Sequence, residues 1–147
     1  MFRNVALLAL AEAIAALTFD GTGQIRALSS SSSADVGCLA NDGSWTTSDT
    51  ECGTFTGTRE DDSTDFIISS TSGPCTLVDY ATFECASGLE ALTFWAWTGI
   101  VDDYDVLAYG ETVTFSSPVD PSEELAPIRP YHTEDSKPWI HLGWAAL

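Results

Sequence analysis

The chain has 147 residues, room for one domain with a real core, and its 44% hydrophobic and 11% aromatic content excludes wholesale disorder. Acids outnumber bases 22 to 5, for a formal net charge of −17. A surface of that sign repels nucleic acid and anionic lipid, because affinity for phosphate rests on Lys and Arg contacts.

The chain opens with Met1-Phe2-Arg3-Asn4, then runs from Val5 to Leu17 with Glu12 as its one polar residue. A short basic start followed by an apolar run too short to cross a bilayer has the form of a secretory signal. Small residues suit a signal peptidase at Ala13-Ile14-Ala15 and at Ile25-Arg26-Ala27, and the second cut makes 1–27 the signal peptide. The rival reading is an amphipathic N-terminal helix that belongs to the domain. Removing the leader takes two acids and two bases, so the balance is unchanged. No second apolar run of spanning length follows, and the expected destination is extracellular space or cell wall, with no membrane partner.

Leu28 to Ala34 is a serine run, so 28–35 reads as a flexible tail and 36–147 as a single β domain. From Val36 the hydrophobic period is two. Val36 to Ala40 and Ser44 to Thr47 flank Asn41-Asp42-Gly43, a turn rich in residues that tolerate positive φ. Gly53 to Thr58 and Asp65 to Ser69 read as strands, and Thr71-Ser72-Gly73-Pro74 turns the chain into a hairpin about Tyr80. Ala91 to Thr98 is apolar on both faces and predicts an interior strand. Val106 to Tyr109 and Thr112 to Phe115 flank Gly110-Glu111 as a further hairpin. Short β-branched and aromatic runs with frequent turn signals predict an all-β fold, a small antiparallel β-sandwich or barrel. Five of the six prolines fall after residue 117, so 118–137 reads as a proline-rich acidic surface connection. Trp139 to Trp144 restores the alternation and is expected to close the sheet.

Four cysteines, Cys38, Cys52, Cys75 and Cys85, in a chain with a leader read as two disulfides. Zinc is the rival, but the spacings hold no C-x₂₋₄-C knuckle and neither histidine is near. Three pairings are open. If Cys75 to Val78 and Thr82 to Cys85 form a hairpin about Tyr80, Cys75 stands opposite Cys85 and Leu77 opposite Phe83, within disulfide reach. Cys38 is then left with Cys52.

Gly37-Cys38-Leu39, Gly43-Ser44-Trp45-Thr46-Thr47, Cys52-Gly53-Thr54-Phe55-Thr56, Gly73-Pro74-Cys75 and Phe83-Glu84-Cys85 together form a familiar pattern. With Val106-Leu107-Ala108-Tyr109-Gly110 and Thr112-Val113-Thr114-Phe115, it resembles the C-terminal domain of fungal ribonuclease T2-like proteins over Val36 to Phe115. The resemblance implies a small cysteine-bearing β domain without a recognised active site, associated with cell wall or extracellular matrix. It does not carry ribonuclease activity. The catalytic motifs H-G-L-W-P and K-H-G-x-C are absent, and His132 and His141 lie outside the resembling region.

No catalytic residue, cofactor or metal is expected. Neither histidine accompanies a G-x-S-x-G elbow. The acid clusters Glu60-Asp61-Asp62 with Asp65, and Asp102-Asp103 with Asp105, lack the full calcium-loop pattern and read as solvated turns. Flat aromatics stack on sugar rings, so Trp45, Trp95 and Trp97 are candidate ligand-stacking residues, although tryptophans also fill small cores. Trp95 and Trp97 share one strand face, opposite Phe94 and Ala96. The expected function is a secreted, non-catalytic binding module associated with cell wall or extracellular matrix, with a cell-wall polysaccharide or an extracellular protein as partner. A secreted effector with an extracellular protein partner is the alternative, and a carbohydrate-active hydrolase the third.

Overall fold

In the computed structural model, which describes residues 19–59, 63–133 and 139–147, every regular element but one short 3-10 turn (Asp49–Glu51) is a strand. In chain order the strands are β1 (Gly21–Ser29), β2 (Asp35–Leu39), β3 (Trp45–Thr46), β4 (Phe55–Arg59) and β5 (Asp65–Ser70). They continue as β6 (Gly73–Val78), β7 (Thr82–Cys85), β8 (Phe94–Val101), β9 (Tyr104–Ala108) and β10 (Ile140–Ala146). Six of them close a ring, β1–β10–β9–β8–β5–β4 and back to β1, with every neighbour antiparallel. Of the two predicted architectures the chain therefore adopts the barrel, which removes the exposed edges an open sheet would carry. Hairpin β2–β3 extends from β1, and β6–β7 extends from β5.

The period of two sorts side chains between the lumen and the outer surface. Ile25, Ala27, Phe55, Phe66, Ile68, Phe94, Leu107, Ile140, Leu142 and Trp144 point inward and form the main core with Phe19. Phe19 stacks on Phe66 with ring centroids 4.7 Å apart. The lumen is tight enough to require two bare positions. A Cβ on Gly23 would come within 2.5 Å of the Trp144 ring, and one on Gly57 would collide with the Phe19 carbonyl.

Both disulfides are present. Cys75 pairs with Cys85 across β6–β7, with Leu77 opposite Phe83, and Cys38 pairs with Cys52. The Asn41-Asp42-Gly43 hairpin forms with Gly43 at φ 91°.

Five expectations are corrected. The leader cannot extend to Ala27 without dismantling the barrel, because β1 pairs with β10 from Gly23 to Ser29 and with β4 from Gly21 to Gly23. The apolar run Val5 to Leu17 lies outside the described residues. A cut at the alternative Ala13-Ile14-Ala15 leaves the strand whole. Residues 28–35 are not a tail: Leu28 is fully buried in β1, and Ser29 exchanges bonds with Ser33 and Ala34 in the turn to β2. Their serines satisfy a turn, which composition does not distinguish from a linker.

The connection 118–137 is also more than surface. Ala126 and Ile128 are fully buried and bridge to Trp45 and Phe83. Ala126 N–H donates to Trp45 O at 2.9 Å and Arg129 N–H to Ser116 O at 2.8 Å, while Pro127 and Pro130 occupy positions where no donor is needed. The Gly110-Glu111 turn forms through reciprocal bonds between Tyr109 and Thr112, but its second arm departs at once. Phe115 pairs instead with Ile140, and Ser116 with Arg129. Lastly, β8 is not an interior strand. Only its first and last residues are buried, because beyond Trp97 it leaves the ring as an exposed hairpin with β9.

Candidate functional site

The outward residues of β8 and its neighbours form the most distinctive surface. Phe94 is fully buried in the lumen and Ala96 packs against the same core. Alternation therefore turns Thr93, Trp95 and Trp97 outward. Trp97 is 40% exposed and Trp95 is half-buried. Their partners across β9 are Val106 and Ala108, both short side chains that do not rise over an indole. Among the described residues no ring or guanidinium stacks on either tryptophan.

Asp65 stands opposite Trp95 in the β5–β8 register, and the next outward residue of β5, Ile67, is 42% exposed. Ile67 pairs on its other side with Thr58 of β4. Thr58, Ser63, Asp65, Ile67 and Thr93 line a shallow hollow of about 200 Å³ beside the tryptophans. The surface thus offers flat apolar faces next to hydroxyls and one carboxylate. That combination suits a ligand with alternating apolar and hydroxyl faces, such as a sugar ring. Arg59 is in the opposite phase: its guanidinium lies 5.3 Å from the centre of the Phe66 ring and donates to Thr64 O.

The third predicted stacking residue is not there. Trp45 is only 4% exposed, belongs to the core, and donates its Nε1–H to Val36 O at 3.1 Å. Its backbone exchanges hydrogen bonds with Ala126 alongside, and its ring is packed within the core. Trp45 fills the interior.

The histidines are held in structural contacts. His141 is 7% exposed, with Nδ1 2.8 Å from Val113 O. His132 stacks on Trp139 at 3.6 Å between ring centres and sits 3.3 Å from Thr114 Oγ1 through Nε2. Desolvation first, and the positive charge of Arg129 second, hold the His132 imidazole below its ordinary pKa. Trp139, 50% exposed, and Tyr131, 41% exposed, make a second aromatic patch. One face of each is already taken, by His132 and by the Arg129 guanidinium 5.0 Å from the Tyr131 ring centre.

On the opposite side of the barrel, Arg26 donates to Asp35 at 2.8 Å, to Asp49 at 3.1 Å and to Cys52 Sγ at 3.2 Å. The Asp35 hydrogen bond raises the guanidinium pKa most, with Asp49 adding to it against desolvation. Asp102 and Asp103 occupy the β8–β9 turn, with Asp103 at φ 68°. Glu60, Asp61 and Asp62 lie outside the described residues. Among those described, no three acids, histidines or cysteines are placed to hold a metal ion.

Sequence reasoning found Trp95 and Trp97 but not Asp65, Ile67, Thr93 and Thr58 beside them. The signal was available in part: Asp65 and Ile67 alternate with Phe66 and Ile68, which marks them as outward. Which strand lies beside β8 is a long-range fact with no local mark.

Closed ring, two disulfides and a short-sided aromatic face define a small stapled β-barrel domain. The family model for the RNase T2-like C-terminal domain matches residues 17–135, and the chain belongs to that family. The match takes in all of β1, as the barrel requires, and stops before β10, which the ring needs between β9 and β1. No curated protein and no solved structure gives a significant match.

Proposed function

We propose that this domain is an extracellular, non-catalytic binding module that takes a cell-wall or matrix polysaccharide on the face of Trp95 and Trp97. The observation that carries the reading is the pair of outward indoles, on which no ring or guanidinium among the described residues stacks, beside Asp65 and a row of hydroxyls. Two disulfides accord with an oxidising compartment. Both histidines serve packing and hydrogen bonding, which supports binding over acid–base chemistry. A net charge of −17 suits an uncharged ligand better than nucleic acid.

The test is retention on insoluble glucan, chitin and mannan, with Trp97→Ala beside the natural chain. Retention on at least one polymer is expected, weakened about thirtyfold by the substitution, the effect of losing a central aromatic anchor worth about 2 kcal/mol. Retention on none, at acidic or neutral pH, removes the proposal. The alternative of a protein partner draws on Ile67, exposed beside the same face, and on Ile100, exposed in the β8–β9 hairpin. It predicts a co-precipitating extracellular protein and no polymer retention.

A further inference from the structure

The outer surface of β9 holds one more aromatic residue in phase with Val106 and Ala108. Tyr104 packs over Leu28, Val101 and Val106, a small cluster on the outside of the barrel. It reaches that position because β10 is bare beneath it. A Cβ on Gly143 would come within 2.9 Å of the Tyr104 ring and 2.7 Å of Leu28. The ring therefore rests against the barrel wall instead of standing off it, and it stays half-buried with one side toward solvent. Val106, paired with both Gly143 and Trp97, lies between Tyr104 and the tryptophans.

In the β8–β9 register Tyr104, Trp97 opposite Val106, and Trp95 opposite Ala108 come at successive two-residue steps along β9. From Tyr104 to the level of Trp95 is four residues along β9, roughly 13 Å at 3.3 Å per residue. Two further strand spacings, roughly 10 Å, lead across Asp65 to Thr58 on β4. A path of that length exceeds a disaccharide. Among the described residues, the ionisable side chain facing the tryptophans is Asp65, an acceptor for hydroxyl hydrogens and a repellent for a carboxylated sugar.

Resting on the reading just given, we infer that the ligand is an uncharged polysaccharide in extended form, seated over Tyr104, Trp97 and Trp95 in succession, with hydroxyls donating to Asp65. Binding then depends on chain length, and Tyr104 is a platform residue as Trp97 is.

Calorimetric titration with neutral gluco-, chito- and manno-oligosaccharides of two to six units tests this, with galacturonic acid oligomers as the charged comparison. In the series that binds, affinity is expected to climb steadily from dimer to hexamer, and the uronate series is expected to bind at least about tenfold more weakly. Tyr104→Ala is expected to weaken the hexamer about five- to tenfold, and Tyr104→Phe, which keeps the ring, to leave it unchanged. The length series uses the natural chain, so it stands even if Tyr104→Ala does not fold. Equal affinity for dimer and hexamer, or equal binding of uronates, overturns this inference while Trp97-dependent polymer retention leaves the binding reading standing. No retention on any polymer overturns both.

Discussion

Consider the chain cut after Ala27 against one beginning at Thr18. The first loses Phe19, Ile25 and Ala27, all fully buried, together with the pairing of β1 to β4 and most of its pairing to β10. Emptying a buried Phe position costs about 3–5 kcal/mol and a buried Ile about 2–5, before any ladder bond is counted. A domain of this size is stable by about 5–15 kcal/mol in total. The cut also opens the ring and bares β4 and β10 as edges, which invites association with other chains. We expect the chain from Thr18 to unfold cooperatively on heating and the chain from Leu28 to be unfolded or aggregated at room temperature. Far- and near-UV circular dichroism with thermal melts reads the difference. A chain from Leu28 that melts cooperatively within a few degrees of the longer one would refute the assignment of β1 to the barrel, and with it the correction to the leader.

Two further outcomes follow from local environments. Cys52 alone among the four cysteines is incompletely buried, so graded reduction with alkylation and peptide mapping should label Cys38 and Cys52 before Cys75 and Cys85; removing that bridge by Cys38→Ser with Cys52→Ser should lower stability by about 3 kcal/mol, read from denaturant midpoints. His132 should titrate below the ordinary 6.5 in histidine NMR spectra, because the fold favours its neutral form. Its contribution is intact above 6.5 and is lost as pH falls from there toward the depressed folded value, where the unfolded chain takes up the proton first. Trp139→Ala, which uncovers the ring, should move the titration back up; an unmoved midpoint would mean that stacking plays no part in the desolvation.

The alternation of apolar and polar residues carried the strand content and the β class, because the period of a strand is a local property of three or four neighbours. Hairpin register did the same for Cys75 and Cys85: once the turn about Tyr80 is placed, their opposition follows from counting. Trp95 and Trp97 were legible as one face for the same reason. Trp45 was not, since whether a tryptophan is core or surface depends on which distant segments pack with it, and Ala126, its bridge partner in the same core, is eighty-one positions away. Prolines 127 and 130 masked a buried segment, because a missing donor rules out a full ladder but not single bridges through Ala126 and Arg129. The leader's end misled for a related reason: Ile25-Arg26-Ala27 satisfies a peptidase locally, while its claim on the barrel comes from β10 at the far end of the chain. Composition, period and cysteine spacing thus determined class, crosslinks and the tryptophan face. Ring closure, the inclusion of β1, and the meeting of Asp65, Trp95 and Tyr104 on one wall were decided only by tertiary pairing, where distant strands exchange hydrogen bonds that leave no mark in either segment alone.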